Sequence, residues 1–367
     1  MLKDYLPWII AGLVVLALVI GGLVLTRVVP EVAATRRRRP RPPRDHFRTG
    51  EDDVPAPLKR AGVVINPTKL ADLPTARERI TAACLANGWA EPVFYETTVE
   101  DPGHGQAAQA VRDGVDIVCT LGGDGTVRNV AGALVGTETA LGILPAGTGN
   151  LLARNLDLPV ALEAAVGVAL TGRNRRIDVG ELVIGAAPMD DAPDESGDPE
   201  THYFLVMSGV GMDAQIMAGT NENLKAKVGW PAYMLSGVKH LVSPEFRISV
   251  KVDDELEFRR RARMVVIGNC GRLLGGLVLM PNARVDDGQL DTVIASPRGV
   301  VGWVPVATRV ATRQRKGHPT LDHKACKEIR VRTDRPVPVQ IDGDVIGEAS
   351  EVSATVRPGC LTVRVSQ

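Results

Sequence analysis

Ile117-Val118-Cys119-Thr120-Leu121-Gly122-Gly123-Asp124-Gly125-Thr126 is an apolar strand that runs directly into a glycine-rich turn, and Val127–Val135 follows with helical spacing. Glycines let the backbone turn tightly and approach a polyphosphate with no side chain in the way. The amides that open the following helix then face the anion, and Thr126 adds a hydroxyl donor. Asp124 would repel a phosphate, so its presence points either to a bridging Mg²⁺ or to a hydrogen-bonding role within the loop. A Gly-Gly pair alone is an ordinary turn. The whole hexapeptide Leu121–Thr126 between a strand and a helix is far more specific.

Working outward, Pro145-Ala146-Gly147-Thr148-Gly149-Asn150 again follows a strand, Ala140–Leu144, and precedes a helix. Asn66-Pro67-Thr68-Lys69 ends the strand Gly62–Asn66. Helical spacing over Pro74–Asn87 stops at Gly88, Val93–Thr97 reads as a second strand, and Gln106–Arg112 as a helix. This β-α-β-α-β-loop-α order predicts a parallel sheet with helices on both faces. Such sheets bind ligands at the carboxyl ends of their strands, where the three loops fall. There is no Walker A sequence and no GxGxxG, so neither a P-loop nor a dinucleotide-binding fingerprint is present.

After about Arg176 the pattern changes. Val179–Ile184, Tyr203–Ser208, Phe246–Val252, Arg263–Ile267, Leu290–Ile294, Glu328–Thr333 and Val337–Ile341 read as strands with few helices between them, which predicts an antiparallel, sandwich-like second domain. Met189–Glu200 reads as an exposed acidic loop and Ala226–Val242 as an amphipathic helix. The expected organisation is an α/β domain over 59–174 and a β-rich domain over 175–367, the last strand being free to return to the first domain.

Ahead of both lies Trp8–Thr26, uncharged and long enough to cross a bilayer as a helix. Arg27 and the run Arg36, Arg37, Arg38, Arg39, Arg41, Arg44 and Arg48 follow. Positive residues beside a single span stay cytoplasmic. The expectation is therefore a single-pass anchor within 1–30 at the cell membrane, with the catalytic domains in the cytoplasm. The alternative, a cleaved signal peptide, has a shorter apolar core. Residues 31–58, rich in Arg and Pro, read as a disordered tether placed to meet anionic lipid headgroups. Over the whole chain 43 basic residues balance 43 acidic ones, so no nucleic-acid partner is expected. The five cysteines have no metal-like spacing and read as reduced thiols. A homodimer is compatible with the sequence.

Taken together, GGDGT, PAGTGN and the Asn-Pro-Thr opening resemble the diacylglycerol kinase catalytic-domain superfamily, which includes soluble bacterial diacylglycerol kinases, sphingosine kinases and ceramide kinases. Three segments of the second half are similar to the family's as well: Gly209-Val210-Gly211-Met212-Asp213-Ala214, Pro281–Asp291 (PNARVDDGQLD), and Gln340-Ile341-Asp342-Gly343-Asp344. The resemblance runs from about residue 60 to the C-terminus. It implies two domains with ATP in the cleft between them. Asn66, Pro67, Thr68, Gly122, Gly123, Asp124, Gly125, Thr126, Gly147 and Thr148 would bind nucleotide, joined by Thr97 or Thr98. Asp287, with the backbone near Gln289, resembles the Mg²⁺ position. Asp342 and Asp344, with Asp124, would be catalytic. The family usually has Glu where this chain has Asp344, one methylene shorter, so Asp342 and Asp344 stand as equal candidates for general base. By local sequence alone Asp342-Gly343-Asp344 is a hairpin turn.

The implied reaction moves the γ-phosphate of ATP, with Mg²⁺, onto a lipid hydroxyl whose proton a carboxylate accepts. Diacylglycerol is the leading acceptor. A sphingoid base or ceramide, an NAD-type soluble metabolite, and a catalytically inactive lipid sensor are the competing readings. Gly275–Met280 and the helix over Tyr233–Val242 are apolar enough to line an acyl-chain groove, though such runs are more often core.

Overall fold

The computed structural model describes residues 58–185, 200–211, 244–273, 277–297 and 321–367. The anchor expected over 1–30, the tether expected over 31–58 up to residue 57, the acidic loop up to residue 199, the helix over 226–242 and Met212–Ala214 lie outside them. Among the described residues no helix is long and apolar enough to cross a membrane.

Strands β1 (Ala61–Ile65), β2 (Val93–Glu96), β3 (Ile117–Gly122) and β4 (Ala140–Pro145) pair in parallel in the order β2-β1-β3-β4. Side chains alternate across a strand, and both faces of β1 and β3 are buried, so these strands are apolar but for Thr120. Ile117, Cys119 and Leu121 of β3 face α1 (Leu73–Ala86) and α5 (Leu162–Thr171), meeting Ile80, Cys84, Ala165 and Ala169. Val118 faces the other way, into a core with Ala107 and Ala110 of α2 (His104–Arg112) and Val127, Val130 and Leu134 of α3 (Asp124–Leu134). The parallel sheet with helices on both faces is as the sequence predicts.

The second half is β-rich and antiparallel: β5 (Arg173–Gly185), β6 (Glu200–Phe204), β7 (Met207–Gly211), β8 (Phe246–Val252), β9 (Phe258–Ala262), β10 (Met264–Gly268), β11 (Leu290–Ala295), β12 (Leu321–Cys326), β13 (Glu328–Ile341) and β14 (Asp344–Val365). Phe204, Phe246, Ile248, Val265, Ile267, Leu290 and Val339 fill its core. The strand expected over Tyr203–Ser208 is two strands, broken at Leu205 and Val206. The backbone amides of those two residues turn instead to the Asp342 carboxylate. The two strands expected within 328–341 are one, irregular between Arg332 and Val337.

All these strands belong to one hydrogen-bonded sheet system. The long β14 pairs antiparallel with β13 and β5, then parallel with β4 through Val363 and Leu141. The hairpin from β13 into β14 is thereby fixed relative to the carboxyl ends of β3 and β4.

Candidate active site

β3 ends at Gly122 and α3 begins at Asp124, three residues earlier than the apolar pattern from Val127 suggests. Gly123, extended at φ −93°, is the N-cap and offers no side-chain cap. Early N–H groups of a helix have no partner within it, so the Gly-Asp-Gly-Thr turn is itself the positive end of a helix dipole.

Asp124 does not point at that end. Its Oδ1 accepts the Leu151 amide at 2.6 Å, at the start of the short helix α4 (Leu151–Asn155). The N-cap of α4, Asn150, is left-handed at φ +48° and caps nothing with its own side chain; it instead exchanges hydrogen bonds with the Gly147 amide and carbonyl. Asp124 therefore supplies the cap from a neighbouring loop. Burial pushes its pKa up to about 6 against the pull of the α4 amides, with the Asp342 carboxylate adding to the rise. Of the two roles left open by sequence, the hydrogen-bonding one describes what its carboxylate does here.

The loops after β3 and β4 meet closely. The Ala146 amide donates to the Gly122 carbonyl at 2.9 Å, and a Cβ on Gly147 would lie 2.6 Å from the Gly123 Cα. The loop after β1 joins them: Asn66 Nδ2 donates to Thr126 Oγ1 at 3.4 Å, while its Oδ1 accepts from the Thr68 amide and hydroxyl. Pro67 and Thr68 form a 3-10 turn with Lys69. Thr97 is buried beside β1, its amide on the Ile65 carbonyl. Thr98 is exposed and its hydroxyl is engaged by the Asp101 amide. Thr148 is exposed on its loop. Asn66, Gly122–Thr126 and Gly147 thus lie in mutual contact, with Thr97 behind them and Thr98 turned to a separate turn.

The acidic turn from the second half reaches this surface. Asp342, left-handed at φ +49° and 6 % exposed, accepts three backbone amides. Leu205 N donates to Oδ2 at 2.9 Å; Val206 N and Met207 N donate to Oδ1 at 2.8 and 3.0 Å. Burial raises its pKa above the ordinary carboxylate range; Arg128, then the amides, oppose that rise. Asp344 is more open, and its Oδ2 lies 3.1 Å from where a Cβ on Gly125 would stand. Arg128 on α3 holds the turn, donating from Nη1 to the Ile341 carbonyl at 2.7 Å and from Nη2 to Asp344 Oδ2 at 2.8 Å.

Asp287 and Gln289 lie on a separate turn, where Asp287 Oδ1 accepts the Gln289 amide at 3.1 Å. Burial raises the Asp287 pKa and lifts that of Asp291 to about 6, with Asp287 adding to the latter. Asp178, buried in β5, ties this turn to β14 by accepting the Gly288 and Gly359 amides, each at 2.7 Å. Among the described residues no three His, Cys, Asp or Glu side chains gather as a metal cage. Mg²⁺ usually keeps several waters and takes one or two carboxylates, so Asp287 with carbonyls and water is a chemically adequate donor set.

Comparison with known proteins sorts these features. Residues 60–182 match the family model "Diacylglycerol kinase catalytic domain", and 205–365 match "YegS C-terminal NAD kinase beta sandwich-like domain". This chain belongs to the diacylglycerol kinase catalytic-domain superfamily. It is an ATP-dependent kinase. Similar superfamily members are named diacylglycerol kinase. That of Staphylococcus saprophyticus is 26% identical over 79% of this chain and 90% of its own length, and that of Staphylococcus carnosus 22% identical over the same shares. A solved chain from Bacillus anthracis strain Sterne superposes with TM-score 0.66 at 20% identity, over 87% of this chain and 99% of that chain, which shows a shared fold. The superfamily relatives also correct one expectation. They are matched over nearly their whole length by 79% of this chain, and the first family model begins at residue 60. The reading as a single-pass membrane protein is withdrawn.

Arg128, Asp178 and Asn269 escaped the sequence reading, and Asn150 entered it only as the end of a motif with no role of its own. Asp178 carried a faint signal, being a carboxylate between the apolar residues Ile177 and Val179. Asn269, which donates to the Asp178 and Leu205 carbonyls, and Arg128 carried none, because their partners lie 64 or more positions away.

Proposed function

We propose that this kinase transfers the γ-phosphate of ATP to the hydroxyl of a lipid, with diacylglycerol as the first acceptor to test. The supporting observation is the contact of the Asp342–Asp344 turn with the Gly123–Thr126 helix start through Arg128. One half of the chain presents amides suited to phosphate, and the other presents acid at the same place. The names of the relatives favour diacylglycerol over a sphingoid base or a soluble metabolite.

In this reading the amides opening α3, with Asn66 and Thr126, bind the polyphosphate, and the helix dipole offsets its charge. Asp342 accepts the proton of the attacking hydroxyl. A raised pKa suits a general base, and Oδ2, with one amide donor against two on Oδ1, is the oxygen with acceptor capacity to spare. Asp344 aligns the hydroxyl. Asp287 would hold Mg²⁺, which when bound neutralises phosphate charge.

The test is a radiolabelled-ATP assay on extracted lipids and on diacylglycerol in mixed micelles. Label in phosphatidic acid supports the proposal. Label in ceramide phosphate or a phosphorylated sphingoid base would replace the acceptor. Label only in a water-soluble product, or bound ATP with no transfer at all, would overturn it.

A further inference from the structure

Arg128 makes two of the polar contacts between the catalytic halves, both on the acidic turn. It lies one helical turn past Asp124 on α3, its side chain is 14 % exposed, and its two terminal nitrogens bond a carbonyl and a carboxylate from the far side of the chain, 213 and 216 positions away. A planar guanidinium can satisfy two acceptors at a fixed spacing, which an ammonium cannot. The two acceptors bracket Asp342: Ile341 just before it, Asp344 two residues after. The geometry therefore fixes a three-residue turn against a particular step of α3.

We propose that Arg128 is a positioning residue for phosphoryl transfer, setting the Asp342–Asp344 turn at working distance from the nucleotide-binding amides and letting the short Asp344 side chain serve there. This rests on the proposed reading of the site. Gly125 is part of the argument. With no side chain of its own it lets the Asp344 carboxylate come to within 3.1 Å of its Cβ position, and Arg128 supplies the cation that tolerates an acid beside a phosphate site.

The same guanidinium acts on Asp342 through space. Around that carboxylate stand the Leu205, Val206 and Met207 amides, the Asp124 carboxylate at the start of α3, the buried Cys270 thiol, Asp344 two residues on, and Arg128. Arg128 leads the influences that oppose the effect of burial on Asp342. Removing its charge would raise the pKa of Asp342 further, and the acid limb of kcat/KM would move to higher pH.

The test compares the full-length chain with Arg128→Gln and Arg128→Lys, each first shown to melt cooperatively. Arg128→Gln should lose about 100-fold or more in kcat, keep KM for ATP within about three-fold as a transition-state effect does, and shift the acid limb upward. Arg128→Lys should keep the acid limb in place, having kept the charge, yet recover only part of kcat, having lost the fork. Millimolar guanidinium should restore part of the Gln variant's rate. An Arg128→Gln enzyme with native kcat, or one whose only defect is a higher KM for ATP, overturns the inference. If Arg128→Gln does not fold, the Lys variant decides: native kcat sinks the idea and a kcat defect with an unmoved acid limb upholds it. Absence of lipid kinase activity in the unmodified chain would instead defeat the proposed function.

Discussion

Gly147 packs its backbone against Gly123 so tightly that a Cβ on Gly147 would stand 2.6 Å from the Gly123 Cα. Two loops that the sequence shows only as separate glycine turns are thus one surface, held by glycine on both sides.

Gly147→Ala should separate those loops. Overpacking of this kind costs about 1–3 kcal/mol, and the displaced amides are the ones proposed to hold phosphate. ATP affinity, measured by titration calorimetry, should fall at least about ten-fold by the loss of ~1.4 kcal/mol of aligned contacts. Unchanged affinity would mean that the Gly147 loop takes no part in binding nucleotide.

Asp342→Asn should remove phosphoryl transfer by about 10²–10⁴-fold, the usual share of a general base. It should also destabilise the fold, because an amide NH₂ must face one of the three N–H donors now on the carboxylate. One unsatisfied buried donor costs about 1–3 kcal/mol. Asp342→Ala strands all three amides, so thermal melting has to accompany any activity measurement. An Asn variant that folds stably and retains full kcat would remove Asp342 from the mechanism.

Asp291→Asn should stabilise the protein at neutral pH in the presence of a chelator. The folded-state pKa of Asp291 is raised to about 6, so stability from this group is fully present below its unfolded value and is lost as pH rises through about 6. The full shift corresponds to about 3 kcal/mol; partial solvent exposure reduces that to about 1 kcal/mol. Melting temperature at pH 7.5 should rise by roughly 2 °C, with no gain at pH 4. A gain of equal size at both pH values would contradict burial of the charge as the cause.

Asp287→Asn should raise the free Mg²⁺ needed for half-maximal activity by about 10-fold, as loss of a charged ligand partner does. Asp178→Asn should instead lower stability by about 1–3 kcal/mol, because its oxygens hold the Gly288 and Gly359 amides. Mg²⁺ titrations that superimpose for the native protein and Asp287→Asn would locate the metal elsewhere.

Much of the nucleotide half was legible because its signals are local. The burial of both faces of β1 and β3 shows as apolar runs broken only by Thr120, and the loops proposed to bind nucleotide sit at their ends. Boundaries slipped where a backbone choice has a distant cause. Tyr203–Ser208 reads as one strand by composition, yet Leu205 and Val206 give their amides to a carboxylate more than 130 positions later. The helix after β3 starts at Asp124 rather than Val127 because a glycine suffices as its N-cap. Asp124 reads from sequence either as a metal-bridging residue or as a hydrogen-bonding one at its loop, and sequence does not choose between them. Its carboxylate caps α4, a helix of five residues too short to show a period of its own.

What the sequence alone determined is the set of local grammars: strand, glycine turn, helix start, a change to β-rich texture after about Arg176, and an Asp-Gly hairpin pair at 342–343. Those follow from backbone sterics and side-chain periodicity, which act over a few residues. Only the tertiary structure decided that Arg128 meets Asp344, that Asp342 is caged by three amides, and that β14 ties the acidic turn to the phosphate-type loops. Such contacts join residues remote in the chain, and their energy comes from desolvation and directional hydrogen bonds that exist only once the sheet has closed.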